Sequence, residues 1–170
     1  EFRRVLFRSV YPETIYRWLV SYEAQERLQG HIESMFQNVK LRDPKQFEAI
    51  RNNVNQFLGE NKSITDFDDN LRLPVRVGKK RPAVIHYLDE LSAGERQCVI
   101  MMFMVSRWLM PGGVVLIDEP DLHLHVSLQR HFIHELEKVV HSKGGQLIIT
   151  SHSETIWEEF SDDQSIDLVH

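Results

Sequence analysis

One cysteine among 170 residues, Cys98, leaves no internal disulfide framework to consider and fits a reducing compartment. Apolar runs are short. The longest, around Cys98 to Val105, falls far below the roughly 20 residues that a membrane-spanning helix needs. No secretory or transit segment is legible, so the expectation is a cytoplasmic protein with no membrane partner. Positive charge does not dominate either: 20 Lys and Arg stand against 25 Asp and Glu, for a formal net charge of −5. The chain as a whole is therefore not a polycation, and a nucleic-acid contact would need a local patch or parts beyond these residues. Also missing is the run Gly, four residues, Gly-Lys, Ser or Thr that cradles phosphates. The one Gly-Lys pair, Gly78-Lys79, has Leu73 where the first glycine belongs and Lys80 where the hydroxyl belongs. Internal repeats and low-complexity tracts are absent.

What is present divides the chain into four stretches. Residues 1–9, Glu1-Phe2-Arg3-Arg4-Val5-Leu6-Phe7-Arg8-Ser9, resemble the translation of a sequencing-adapter read-through and are set aside from fold reasoning. Residues 10–62 read as a helical, lid-like subdomain. Ile15, Trp18, Leu19, Tyr22, Ala24 and Leu28 predict a first helix over 11–30. Asp43, Pro44 and Gln46 then predict the start of a second, with Phe47, Ile50, Val54 and Phe57 on its buried face and Gly59 as its stop. Residues 63–90 carry short alternating runs separated by Asp68-Asp69-Asn70 and by Gly78-Lys79-Lys80-Arg81-Pro82, the pattern of antiparallel strands. Lys79-Lys80-Arg81 reads as a solvated hairpin turn. Residues 91–170 alternate helix, glycine-containing turn and strand twice over, the mark of an α/β layer with a parallel sheet.

Three motifs in that last stretch carry chemistry. Val114-Val115-Leu116-Ile117 predicts a strand buried on both faces, ending abruptly in Asp118-Glu119-Pro120 at the carboxyl edge where open α/β sheets bind ligands. A hard cation such as Mg²⁺ takes one or two carboxylates plus phosphate oxygens and water, which suits Asp118. Glu119, pointing the other way, suits the orientation or deprotonation of a water. Taken alone, the acidic pair equally reads as a solvated strand end. Leu91-Ser92-Ala93-Gly94-Glu95-Arg96-Gln97 has the spacing of a capping box between Ser92 and Glu95, which by itself means a well-started helix. The same turn offers backbone N–H groups to an anion, with Gly94 allowing close approach. The helix behind it, Val99 to Leu109 and including Trp108, is apolar almost all round and must be buried. Finally Gln146-Leu147-Ile148-Ile149-Thr150 predicts a second short, buried strand that ends in Ser151-His152, whose imidazole suits a phosphate oxygen or an attacking water.

The order of these motifs resembles the ABC ATPase superfamily: a signature loop, an acidic pair after a strand, then a switch histidine. Within it, Ile117-Asp118-Glu119-Pro120-Asp121-Leu122-His123-Leu124-His125 is similar to the AAA-type branch related to OLD-family and RecF-like proteins. The implied fold is the C-terminal half of an ABC-type P-loop ATPase head, α/β with parallel core strands, beside the lid-like helices. The resemblance implies Asp118 on Mg²⁺, Glu119 as catalytic base and His152 as switch histidine. It implies that Ser92, Gly94, Glu95, Gln97 and Asp121 face ATP bound by a second subunit, so that a homodimer sandwiches the nucleotide. DNA and a nuclease domain or subunit are the further partners this branch implies, in DNA repair or phage defence. A non-hydrolysing, ATP-dependent interaction module is the alternative, and a transporter subunit is disfavoured by His123-Leu124-His125. Lacking the phosphate loop, these residues by themselves are expected to bind ATP poorly. His123, His125, His131 and His134 do not read as a zinc site, because no cysteine lies near and an i, i+3 pair on a charged helix is a weak signal.

Overall fold

The computed structural model describes residues 31–78, 84–120 and 124–166, together with the backbone of two strands at 5–9 and 18–22. Those strands, β1 (Val5–Ser9) and β2 (Trp18–Tyr22), precede helices α1 (Ile32–Arg42) and α2 (Pro44–Leu58). Strands β3 (Lys62–Ile64), β4 (Pro74–Val77) and β5 (Val84–Tyr87) follow. Helix α3 (Ala93–Trp108), strand β6 (Val114–Asp118), helix α4 (Val126–Ser142), strand β7 (Gln146–Thr150) and the short helix α5 (Glu154–Trp157) complete the order.

The junction of α1 and α2 turns on one residue. Asp43 closes α1 by donating its N–H to Val39 O at 2.8 Å, and its carboxylate opens α2 by accepting from Gln46 N at 3.0 Å. Pro44 fills the first position of α2, and Phe47, Ile50, Val54 and Phe57 form the buried face, as the spacing predicts. Packing then joins these helices to α3, in which every residue from Cys98 to Ser106 is buried. Phe36 of α1 meets Phe103 at a ring separation of 4.6 Å, and Phe57 of α2 meets Phe132 of α4 edge-on at 5.9 Å. Burial also pushes the Cys98 thiol well above its ordinary range, so it sits in the core as an inert apolar group.

Two sheets result. β3, β4 and β5 form an antiparallel sheet, tied to α2 by Asn55, whose side chain accepts from Ile64 N at 2.7 Å and donates to Ile64 O at 3.1 Å. The larger sheet runs β2-β1-β6-β7, with β6 and β7 parallel and β1 antiparallel to both neighbours. In the parallel pair Asp118 stands opposite Thr150. Lys143, in the turn after α4, donates to Ser106 O at 2.8 Å and Leu109 O at 2.9 Å, supplying the carbonyls at the end of α3 with a cation. Burial without a counter-charge lowers its pKa. Because Gly112 N also bonds Lys143 O, and Gln146 N bonds Gly113 O, the ends of α3 and α4 and the starts of β6 and β7 meet at one end of the layer. The starts of both helices and the carboxyl ends of both strands therefore point toward the opposite end.

The structure departs from the sequence reading in several places. Trp18–Tyr22 is a strand where the apolar spacing predicts helix, since Trp18, Val20 and Tyr22 also alternate and favour extended backbone. Val5–Ser9, inside the stretch set aside, pairs with β2 and β6. Helix α1 goes unpredicted because His31 at its start makes no side-chain cap and the stripe Ile32, Phe36, Val39 is sparse. Strand β6 is fully buried on one face only, through Val115 and Ile117, β7 is not the buried strand its apolar run predicts, with Ile148 44% exposed, and Trp108 is 41% exposed beyond the buried run of α3.

The tight turn at Gly145 holds the parallel pair in place: a Cβ there would lie 2.8 Å from Gly113 O and 3.2 Å from Val140 O. Gly145→Ala is expected to cost about 1–3 kcal/mol in urea unfolding, with no comparable loss for alanine at exposed Lys45.

Candidate functional site

Asp118 and Glu119 end β6 as predicted, and the structure brings His152 to them. Asp118 is half-buried, and its Oδ1 accepts from the hydroxyl of Thr150 on the neighbouring strand. Glu119 leaves the strand with φ of +46°, a left-handed conformation that L side chains adopt at a cost, while its N–H still donates to Thr150 O at 2.9 Å. That kink turns its carboxylate out of the sheet, so that Oε1 lies 3.5 Å from His152 Nε2. Glu119 keeps about a quarter of its side chain exposed, and the imidazole of His152 is 91% exposed. Pro120, next in sequence, is buried and anchors the turn. Carboxylate and imidazole thus share one open edge, with a second carboxylate, Asp118, one residue back at the end of β6.

The loop carrying His152 is fastened by its neighbours. Ser153 N donates to Ser151 Oγ at 2.9 Å, and the indole of Trp157 donates to Ser151 O at 2.8 Å. His125 Nδ1 meets Ser127 Oγ at 3.0 Å at the start of α4, and His131 Nε2 meets Phe57 O at 2.7 Å while stacking on the Phe57 ring. Those two histidines serve helix ends. Asp121 and His123 lie outside the described residues, as do Lys79 to Arg81.

The turn at the start of α3 forms a complete capping box. Glu95 N donates to Ser92 Oγ at 3.2 Å, and Glu95 Oε2 accepts from Ser92 N at 3.1 Å and Ser92 Oγ at 3.0 Å. Lys62 of β3 pairs with the other oxygen, Oε1. Burial pushes the Glu95 carboxyl up, but Lys62 and the Ser92 donors outweigh it and leave the group below its ordinary value. Ser92 and Ala93 are exposed, whereas Gly94 is buried and Gln97 half-buried, so the surface this turn presents is built by the first two residues. Arg96 reaches back to Asp89 O at 3.0 Å, and Asp89 pairs with Arg72, fixing the approach to the turn. The Ser92 turn and the Glu119 edge point toward the same end of the layer. Asp118, Thr150 and Glu119 are oxygen donors, the chemistry that a Mg²⁺ ion shared with phosphates requires. Among the described residues no group of three or more metal-binding side chains forms a closed cage.

Comparison with known proteins places the chain in a family and matches its fold to solved structures. A family model described as "AAA domain, putative AbiEii toxin, Type IV TA system" matches residues 35–157. Protein ea59 of Escherichia phage lambda is 28% identical over 117 residues, covering 66% of this chain and 19% of that protein. The Retron Ec83 probable ATPase of Escherichia coli is 40% identical over 75 residues, covering 38% of this chain and 14% of its own length. The chain thus spans less than a fifth of these curated relatives. Among solved structures, a chain from work on ATP-driven dimerisation and DNA-stimulated activation of SMC ATPases superposes with a TM-score of 0.53 at 19% identity, over 74% of this chain and 78% of that one. The fold is shared with such heads.

The depressed Glu95 pKa gives a pH test. Its stabilising contribution is present above the ordinary carboxyl value of 4.5 and lost as pH falls through the lower folded-state value. Wild type is expected to exceed Glu95→Gln in urea-unfolding stability at about pH 6, with the gap narrowing as pH falls below the ordinary carboxyl value.

Proposed function

Because this chain belongs to the AAA-domain family described as a putative AbiEii toxin of a type IV toxin–antitoxin system, and has the fold of an ABC-type ATPase head, we propose that it supplies the hydrolytic edge of an ATP-hydrolysing, ATP-dimerised machine. The observation that carries the reading is the apposition of Glu119 and His152 at the carboxyl edge of the parallel pair, with Glu119 held in left-handed backbone. Strain of that kind persists where the surroundings over-determine it, and it aims the carboxylate where a strand-like residue would not.

In this reading Glu119 takes a proton from the water that attacks the γ-phosphate, and His152 holds that water or a γ-phosphate oxygen. Asp118, with the Thr150 hydroxyl beside it, would hold Mg²⁺ directly or through water, and the bound ion would offset the charge of the phosphates. Ser92 and the turn through Gly94, Glu95 and Gln97, with Asp121, would meet ATP held by a second copy of the protein. The exposure of Ser92 and Ala93 supports this, and the existing Ser92–Glu95 bonds mean that an arriving phosphate competes with Glu95 for the same donors. The β-phosphate cradle is not among these residues, so the working enzyme is the full-length protein. Its relatives, a phage protein and a retron ATPase, support a coupled role in phage–host conflict or DNA handling.

Glu119→Gln in the full-length protein is the direct test. ATP turnover is expected to fall about 100-fold or more while ATP still binds and the ATP-dependent dimer persists by light scattering. Unchanged turnover would remove Glu119 from the chemistry and favour a nucleotide-gated interaction module.

A further inference from the structure

Helix α4 buries Phe132, Ile133, Leu136, Val139 and Val140, and on that same side it also buries an amide. Gln129 is only 7% exposed. Its Nε2 donates to Leu124 O at 3.0 Å, and its Oε1 accepts from Ser153 Oγ at 2.8 Å. Leu124 ends the segment that leads from the acidic pair into α4, and Ser153 directly follows His152. One buried side chain therefore grips both loops that leave the strand edge. An apolar residue of similar size would pack with α4 at least as well, so the amide serves the geometry of the two loops more than the stability of the core.

His152 needs such a support. With its ring 91% exposed, packing does not fix it, and its position follows from the backbone on either side. Ser151 is held by Trp157, and Ser153 is held by Gln129.

We propose that Gln129 is a positioning residue that locks the His152 loop and the Leu124 loop into one unit, so that displacement of either is transmitted to the other. Its role in turnover rests on the ATPase reading above; the mechanical link does not. The link acts through two hydrogen bonds of opposite sense, which a neutral amide provides and a carboxylate cannot, because an ionised Glu would accept from Ser153 but have nothing to donate to Leu124.

Hydrogen exchange on the full-length protein without nucleotide tests the link. Ser153→Ala removes a group only at the His152 end, yet exchange is expected to rise about threefold or more at residues 124–128 as well as at 151–155. A rise confined to 151–155 would overturn the proposal. Turnover supplies the second arm: Gln129→Leu is expected to lower kcat about tenfold per folded molecule with KM for ATP within about twofold of wild type. Gln129→Glu is expected to regain activity relative to wild type as pH falls and the carboxyl protonates, which a merely space-filling role would not produce. If Glu119→Gln abolishes turnover while Gln129→Leu and Gln129→Glu keep wild-type kcat at all pH values, the positioning role fails and the ATPase reading stands. If Glu119→Gln turns over like wild type, the ATPase reading fails and takes the catalytic role of Gln129 with it.

Discussion

Parallel pairing of β6 with β7 is the constraint from which the site follows. In a parallel ladder both strands release their chains at the same edge, so Asp118 opposite Thr150 puts the acidic pair and the His152 loop side by side, although they are more than thirty positions apart in the chain. A slip of one residue would turn Asp118 to the other face and take Glu119 away from His152. The register is defended at the far end. There Gly145 closes against Gly113, and Lys143 ties the same turn to the last carbonyls of α3. Precision at the open edge is thus set by a crowded turn at the opposite end of the layer.

Helix α3 makes that precision rigid. Its unbroken buried run from Cys98 to Ser106 contacts α1 through Phe36 and shares a core with α4, so the element bearing the Ser92 turn cannot shift without disturbing the whole interior. Its amino end is held from outside as well, by Lys62 of the small sheet on Glu95 and by the Arg72–Asp89–Arg96 chain. The small antiparallel sheet thereby acts as a brace for the turn, coupling the strand region of 62–87 to the start of the central helix.

The two candidate edges differ in how they are prepared. At the Glu119 edge the backbone is held in a left-handed conformation and the imidazole that meets Glu119 is almost wholly exposed to solvent. At the Ser92 turn the amide and hydroxyl of Ser92 and the amide of Glu95 already have internal acceptors, and Gly94 is buried. The capping box that starts the helix uses the Ser92 donors, so any anion that took them would exchange with Glu95. That exchange releases a carboxylate still paired with Lys62, which lowers the cost of the swap relative to freeing a buried charge.

Local chemistry alone determined a good part of this protein: the Asp43-Pro44 helix start, the Ser92–Glu95 box, the all-round apolar α3, and two short strands ending in Asp118-Glu119 and Thr150-Ser151-His152. Each is a signal of short range, in which side chain and backbone lie within one turn or one strand. Gln129 was legible in principle as well, a polar residue at helical spacing with Phe132, Ile133 and Leu136, but nothing nearby in the chain names its partners. Helix α1 and strand β2 went the other way, because weak caps and ambiguous periodicity leave the choice to packing. Only the tertiary structure decided that Glu119 meets His152, that Glu95 is neutralised by Lys62, and that one buried amide joins two loops. Those are contacts between segments far apart in sequence, fixed by strand register and helix packing, and no local pattern encodes them.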